Sequence, residues 1–92
     1  MKTIQFLGLI QNGTGGHVHM SLAGPSGYFH SENQENKLDI SLDLKPGNYS
    51  LTISVYTDGT FSANIIGDIQ NAAPALPYTW STIIDTIDFD VI

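Results

Sequence analysis

The sequence contains no cysteine, which excludes disulfides, thiolate catalysis and cysteine-ligated zinc and leaves the redox compartment open. Positive charge is confined to Lys2, Lys37 and Lys45, against seven Asp and two Glu, so the chain is acidic with a net charge of −6. Nucleic-acid binding works by clustered Lys and Arg displacing counterions from phosphates, and an anionic membrane surface attracts the same side chains. Three scattered lysines supply neither, and no nucleic-acid or membrane partner is expected. No stretch approaches the 18 apolar residues of a membrane-spanning helix. Internal repeats, low-complexity tracts, a dividing linker and helical periodicity are all missing. Charged residues are 13% of the chain, about half the usual share. Polarity comes instead from Ser, Thr, Asn, Gln and Gly, which solvate a sheet without repelling a neighbouring strand.

What is present fits one domain over residues 1–92. Apolar residues make up 41%, enough for a packed interior, but a chain this short hides only roughly 60–65% of its unfolded surface, so the core is thin. The start, Met1 to Ile10, reads as a first strand rather than a signal peptide, because Gln5 interrupts its apolar run and no small-residue cleavage site follows. An extracellular setting is expected if the chain is a domain excised from a larger protein.

The alternation has period two, between clusters of Gly, Pro, Asn and Asp. It predicts about seven strands, near 2–10, 16–23, 27–30, 37–44, 48–57, 60–67 and 83–91. In the clearest, Leu38, Ile40, Leu42 and Leu44 alternate with Asp39, Ser41 and Asp43. Leu51, Ile53 and Val55 alternate with Ser50, Thr52 and Ser54, and Ile83, Ile87, Phe89 and Val91 oppose Thr86, Asp88 and Asp90. One face is core and the other water. Residues 31–36 read as a solvated loop. The expected fold is an all-β, antiparallel two-sheet sandwich of Ig-like, Greek-key or jelly-roll type.

At Asp58-Gly59 a two-residue turn would pair Val55 with Ser62 and waste the alternation. A three-residue loop, Thr57-Asp58-Gly59, pairs Val55 with Phe61, Ile53 with Ala63 and Leu51 with Ile65, with Gly59 as the left-handed residue of a bulge. The strand at 60–67 ends Ile65-Ile66-Gly67 and carries no lysine to deter edge pairing. Edge-to-edge assembly or a homo-oligomer is therefore an open expectation.

The run Leu44-Lys45-Pro46-Gly47-Asn48-Tyr49 resembles the Leu-x-Pro-Gly-x-Tyr corner of fibronectin type III domains and other Greek-key sandwiches, bacterial pre-peptidase modules included. The resemblance implies that Pro46 and Gly47 turn the chain between sheets and that the Tyr49 hydroxyl bonds back to upstream backbone. It covers six residues and speaks for topology, with a plain β-turn as the alternative. After Ile66 the layout departs from the fibronectin one, with a long segment and an extra strand.

Three constellations point to chemistry. His17 and His19 share a face of one strand, with His30 as a third candidate ligand for zinc or copper. The words around them, Gly16-His17-Val18-His19-Met20, are similar to copper–zinc superoxide dismutase and cupin patterns, but the other ligands of those families are absent. In the plainer reading His17, His19 and Ser21 simply face water. Asp85, Asp88 and Asp90 crowd the last strand and are candidates for calcium, which takes six to eight oxygens, although no Asp-x-Asp-x-Asp-Gly loop is present. Tyr78 and Trp80, with Asn71 and Gln70 as hydrogen-bond partners, are placed in a long segment with two prolines where flat rings could meet a sugar; alternatively Trp80 caps the core. Tyr28 and Phe29 carry the same ambiguity.

No Gly-x-Ser-x-Gly elbow supports nucleophilic catalysis, and Gly13-Thr14-Gly15-Gly16 precedes a strand rather than the helix a phosphate cradle needs. A non-catalytic binding module is expected, with carbohydrate the first ligand class. A structural or protein–protein module comes second and a histidine metal site third.

Overall fold

An alternating strand has one apolar face, and a second sheet laid over that face hides it. A computed structural model describes residues 1–80 and 84–92, with only the backbone of Trp80. Its nine strands are β1 (Lys2–Gln11), β2 (Gly16–Ala23), β3 (Phe29–Glu35), β4 (Lys37–Leu44), β5 (Gly47–Thr57), β6 (Thr60–Ile66), β7 (Ile69–Ala73), β8 (Tyr78–Trp80) and β9 (Ile84–Val91). They form two antiparallel sheets in the orders β4-β1-β6-β8 and β3-β2-β5-β9-β7. The fold is an all-β sandwich. Among the described strands, only β2 and β3 are joined as a hairpin within one sheet, and each other consecutive pair lies in different sheets. That interleaving is closer to a jelly roll than to an immunoglobulin sandwich.

The inward row of each central strand is buried: Ile4 and Phe6, Val18, Met20 and Leu22, Leu51, Ile53 and Val55, Phe61, Ala63 and Ile65, Ile87, Phe89 and Val91. Among the described residues no polar or charged side chain is fully buried. A chain of rings ties the layers together. Phe6 of the four-stranded sheet meets Phe89 edge-on at 6.0 Å, Phe89 stacks on Tyr49 at 5.7 Å, and Tyr49 meets Tyr28 edge-on at 5.9 Å. Each such pair adds about 0.5–1.5 kcal/mol beyond the area it hides. Ile83, expected on the inward row of the last strand, lies outside the described residues.

The hairpin expected around Asp58-Gly59 is not formed. β5 pairs with β2 and β9, while β6 pairs with β1 and β8, so the turn carries the chain between sheets. Val55, Phe61, Ala63 and Ile65 are buried, but on opposite layers of one core. Gly59 does not take the left-handed backbone of a bulge. Side-chain parity favours the same inward row whether the chain turns back along a ladder or crosses over, and so it did not separate the two.

At the Leu44–Tyr49 corner, Lys45 and Pro46 carry the chain from one sheet to the other. The Tyr49 hydroxyl donates to the Lys45 carbonyl at 2.8 Å. Gly47 sits at φ +147°, and a Cβ there would come 2.8 Å from Pro25 Cγ. The corner needs glycine on both counts.

The edges differ from expectation. Residues 31–36, read as a loop, are mostly strand β3, laddered to β2 from His17↔Glu35 to Ala23↔Phe29. Its inward positions are His30, Glu32 and Gln34, so no apolar alternation marks it. These side chains close the open side of the sandwich. Gln34 bonds Glu32, and its amide spans the free edge of β4, donating to the Asp39 carbonyl at 3.2 Å and accepting from the Asp39 N–H at 2.9 Å. A side-chain amide thus takes the place of a neighbouring strand. The segment at 60–67 is not an edge either: β6 lies between β1 and β8. Beyond the short β8 ladder, the Ile65 N–H is taken by Asn64 Oδ1 at 2.9 Å. The long connection expected over residues 71–81 is partly strand: it holds the end of β7 and the whole of β8, with cis Ala73–Pro74 and Leu76–Pro77 between them.

Two outcomes test this packing. Tyr49→Phe leaves the Lys45 carbonyl without its donor and should lower stability to urea by about 1 kcal/mol; an unchanged midpoint would contradict the anchoring role. Gln34→Ala bares the β4 edge at Asp39 and should raise the concentration-dependent mass in sedimentation above that of the wild type. Equal mass at equal concentration would mean that this amide does not guard the edge.

Candidate functional site

The outward residues of the five-stranded sheet form rows fixed by register. Glu35, His17 and Tyr56 lie side by side across β3, β2 and β5, and Asn33, His19 and Ser54 form the row beside them. Ser31, Ser21, Thr52 and Thr86 make a third row of hydroxyls, closed by a Thr52–Thr86 contact at 3.2 Å. Strands spaced about 4.8 Å apart put the first row's ends on the order of 10 Å apart, the scale of one or two sugar rings.

Several of these side chains are held in place. His19 Nδ1 lies 2.7 Å from Asn33 Oδ1 and its Nε2 lies 3.3 Å from Ser21 Oγ, so both ring nitrogens are occupied. His17 Nδ1 is 3.4 Å from Glu35 Oε1 on an open surface. Tyr56 is 65% exposed, and two further apolar side chains stand outward on the same face, Phe29 at 65% and Ile84, paired with Ser54, at 58%. None of the three lysines stands on this face.

The end of the face that carries His17 and Tyr56 is clamped from the side. Asp58 accepts the Thr14 N–H at 2.8 Å and the Thr14 hydroxyl at 3.1 Å. Asn36 accepts the Gly16 N–H at 3.1 Å and donates its own N–H to the Gly16 carbonyl at 2.7 Å. The loop before His17 is thereby tied to the strand ends that flank it. The Thr14 amide first, and its hydroxyl second, hold the Asp58 carboxyl below the usual carboxylate range.

The structure divides the residues expected to bind metal. His17 and His19 face outward, but His30 pairs with Leu22 and takes the inward parity of β3, so the three do not converge. His30 Nε2 is buried without a hydrogen-bond partner, 3.6 Å from Glu32 Oε1. Asp85 has the inward parity of β9 and accepts the Tyr78 hydroxyl, while Asp88 and Asp90 face outward. Asp90 is occupied by Asn71 Nδ2 and Asn48 Nδ2, each at 2.9 Å, and these amides lower its pKa. A calcium site built from the three aspartates therefore has no shared centre. Among the described residues no group of three His, Asp or Glu is placed to hold a metal.

The expected sugar platform is dispersed as well. Tyr78 is half-buried against the core, and its hydroxyl is bound to Asp85; that bond, the Asp85 charge and burial raise its pKa. It ties β8 of one sheet to β9 of the other rather than offering a plate to solvent. Asn71 is spent on Asp90, and Gln70 stands exposed on β7 beside the same carboxylate. The side chain of Trp80 lies outside the described residues.

Tyr56, Glu35 and Asn33 were not singled out by the sequence reading. Tyr56 could have been, because it breaks the Ser50-Thr52-Ser54 row with an aromatic at a water-facing position. Glu35 and Asn33 could not, since nothing in their segment signals a strand.

Because Asp58 is held low, its contribution to stability is complete above the ordinary aspartate pKa of about 3.9 and is lost as pH falls through the lowered value. The Thr14 amide proton should titrate with a midpoint below 3.9 and lose its downfield shift in Asp58→Ala; a midpoint at or above that value would remove the clamp. No protein-family model, curated protein or solved structure matches the chain, and the reading of its surface rests on the residues themselves.

Proposed function

We propose that this chain is a non-catalytic binding module whose ligand surface is the outer face of the five-stranded sheet, and that the ligand is a neutral carbohydrate. The observation that carries this reading is the exposed Tyr56 ring standing in register with His17 and Glu35, beside the Asn33–His19 pair. Sugars present an apolar C–H face and a rim of hydroxyls. A flat ring serves the first, and planar side chains that both donate and accept serve the second. The absence of lysine from the face, together with Glu35, Asp88 and Asp90 on it, disfavours sulfated or uronic sugars. The rows lie on an open sheet and not in a water-excluding cleft, which suits recognition rather than bond breaking.

Calorimetric titration with neutral oligosaccharides (cello-, xylo-, manno- and chito-series) tests this. At least one series should bind, and Tyr56→Ala should weaken it about tenfold or more, equivalent to roughly 1.4 kcal/mol. Tyr78→Phe, which loses only the tie to Asp85, should bind as the wild type does. A flat response across the whole panel, or binding indifferent to Tyr56, would retire the proposal.

A further inference from the structure

A second feature lies at one end of the sandwich, apart from the sheet face. The single turn Pro25–Gly27 packs against the Leu44–Tyr49 corner and leaves a cleft of about 330 Å³, lined by Met1, Pro25, Tyr28, Asp43, Lys45 and Pro46 over a floor of Tyr49. That volume is within the range of small-molecule sites, which are apolar with a few placed polar groups.

The walls are fixed before any ligand arrives. Tyr28 rests edge-on against Tyr49, and Tyr49 is held by Phe89 beneath it and by its bond to the Lys45 carbonyl. A Cβ on Gly24 would overlap the Tyr49 ring, so the turn seats flush on the floor. Preorganised walls spare a ligand the entropy of ordering them.

Asp43 and Lys45 stand at the rim, two residues apart at the end of β4. Lys45 forms no ion pair among the described residues. Asp43 accepts the Thr3 hydroxyl through Oδ1 at 2.6 Å, a bond that leaves its second oxygen available. One ammonium and one carboxylate beside proline and tyrosine walls complement a molecule with the opposite pair of charges and an apolar body. We infer that this cleft binds a free zwitterionic α-amino acid with an aromatic side chain: its carboxylate on Lys45, its ammonium on Asp43 and its ring against Tyr28 and Pro25. The inference does not depend on the carbohydrate reading, and either can fail alone.

The test is an NMR titration of the whole chain with L-phenylalanine, 3-phenylpropionate and phenethylamine, the last two lacking the ammonium and the carboxylate respectively. L-Phenylalanine should shift the resonances of residues 25–28 and 43–46, and each truncated probe should bind about tenfold more weakly or worse, as expected for loss of one charge-assisted contact. Lys45→Gln, a surface change that leaves the fold intact, should abolish the advantage of L-phenylalanine over phenethylamine. Asp43→Asn should do the same against 3-phenylpropionate. No shift at millimolar L-phenylalanine, or equal binding of all three probes to the wild type, would overturn the inference.

Discussion

In a sandwich whose core is two side-chain layers thick, a strand that slips by one residue turns its whole apolar row to water and its polar row inward. Burying one Leu, Ile or Phe side chain is worth about 1.5–3 kcal/mol, so a slip of β5 alone would forfeit Leu51, Ile53 and Val55 together, a loss comparable to the total stability of a small domain. Period-two alternation therefore fixes register, and register fixes everything outside the core. The rows Glu35–His17–Tyr56 and Asn33–His19–Ser54 exist only because Val18, Met20, Ile53 and Val55 are locked inward beneath them. The aromatic chain from Phe6 through Phe89 and Tyr49 to Tyr28 links this lock to the corner cleft.

Low charge leaves the open ends and edges to be managed by neutral groups, and here side-chain amides act as pieces of backbone. Gln34 fills the ladder position beside Asp39, Asn36 does so beside Gly16, and Asn64 takes the Ile65 N–H. Asn48 and Asn71 occupy Asp90 from two strands. An amide carries both a donor and an acceptor with peptide-like geometry, so it can satisfy an edge without the lysines that this chain lacks.

The sequence told its central strands well and its margins poorly, for physical reasons. β2 and β4 have the expected limits, β1, β5 and β6 differ from them by one residue, and β9 ends at Val91 as expected, because their inward residues are apolar. β3 was hidden because edge position lets its inward residues be polar, as His30, Glu32 and Gln34 are. β7 and β8 were hidden because strands of five and three residues, on either side of Pro74 and Pro77, carry too few positions to show a period. The sheet change at Asp58-Gly59 was hidden because burial parity says which way a side chain points and nothing about which strand lies beside it. For the site, the His17–His19 face was visible at once. Its neighbours Asn33 and Glu35 were not, since they belong to the hidden strand, and the metal and calcium sets were legible only as spacings, which the two-sided pleat then split.

The central claim is that two interleaved sheets share one inward apolar row, with the turn at Asp58-Gly59 passing between them. Backbone NOEs on labelled protein measure this directly. The account predicts contacts across β1–β6, Gly8 with Ala63 and Phe6 with Ile65, and across β2–β5, Met20 with Ile53 and Val18 with Val55. Ladder NOEs joining Val55 to Phe61 and Ile53 to Ala63 in their place would put β5 and β6 in one sheet and contradict it.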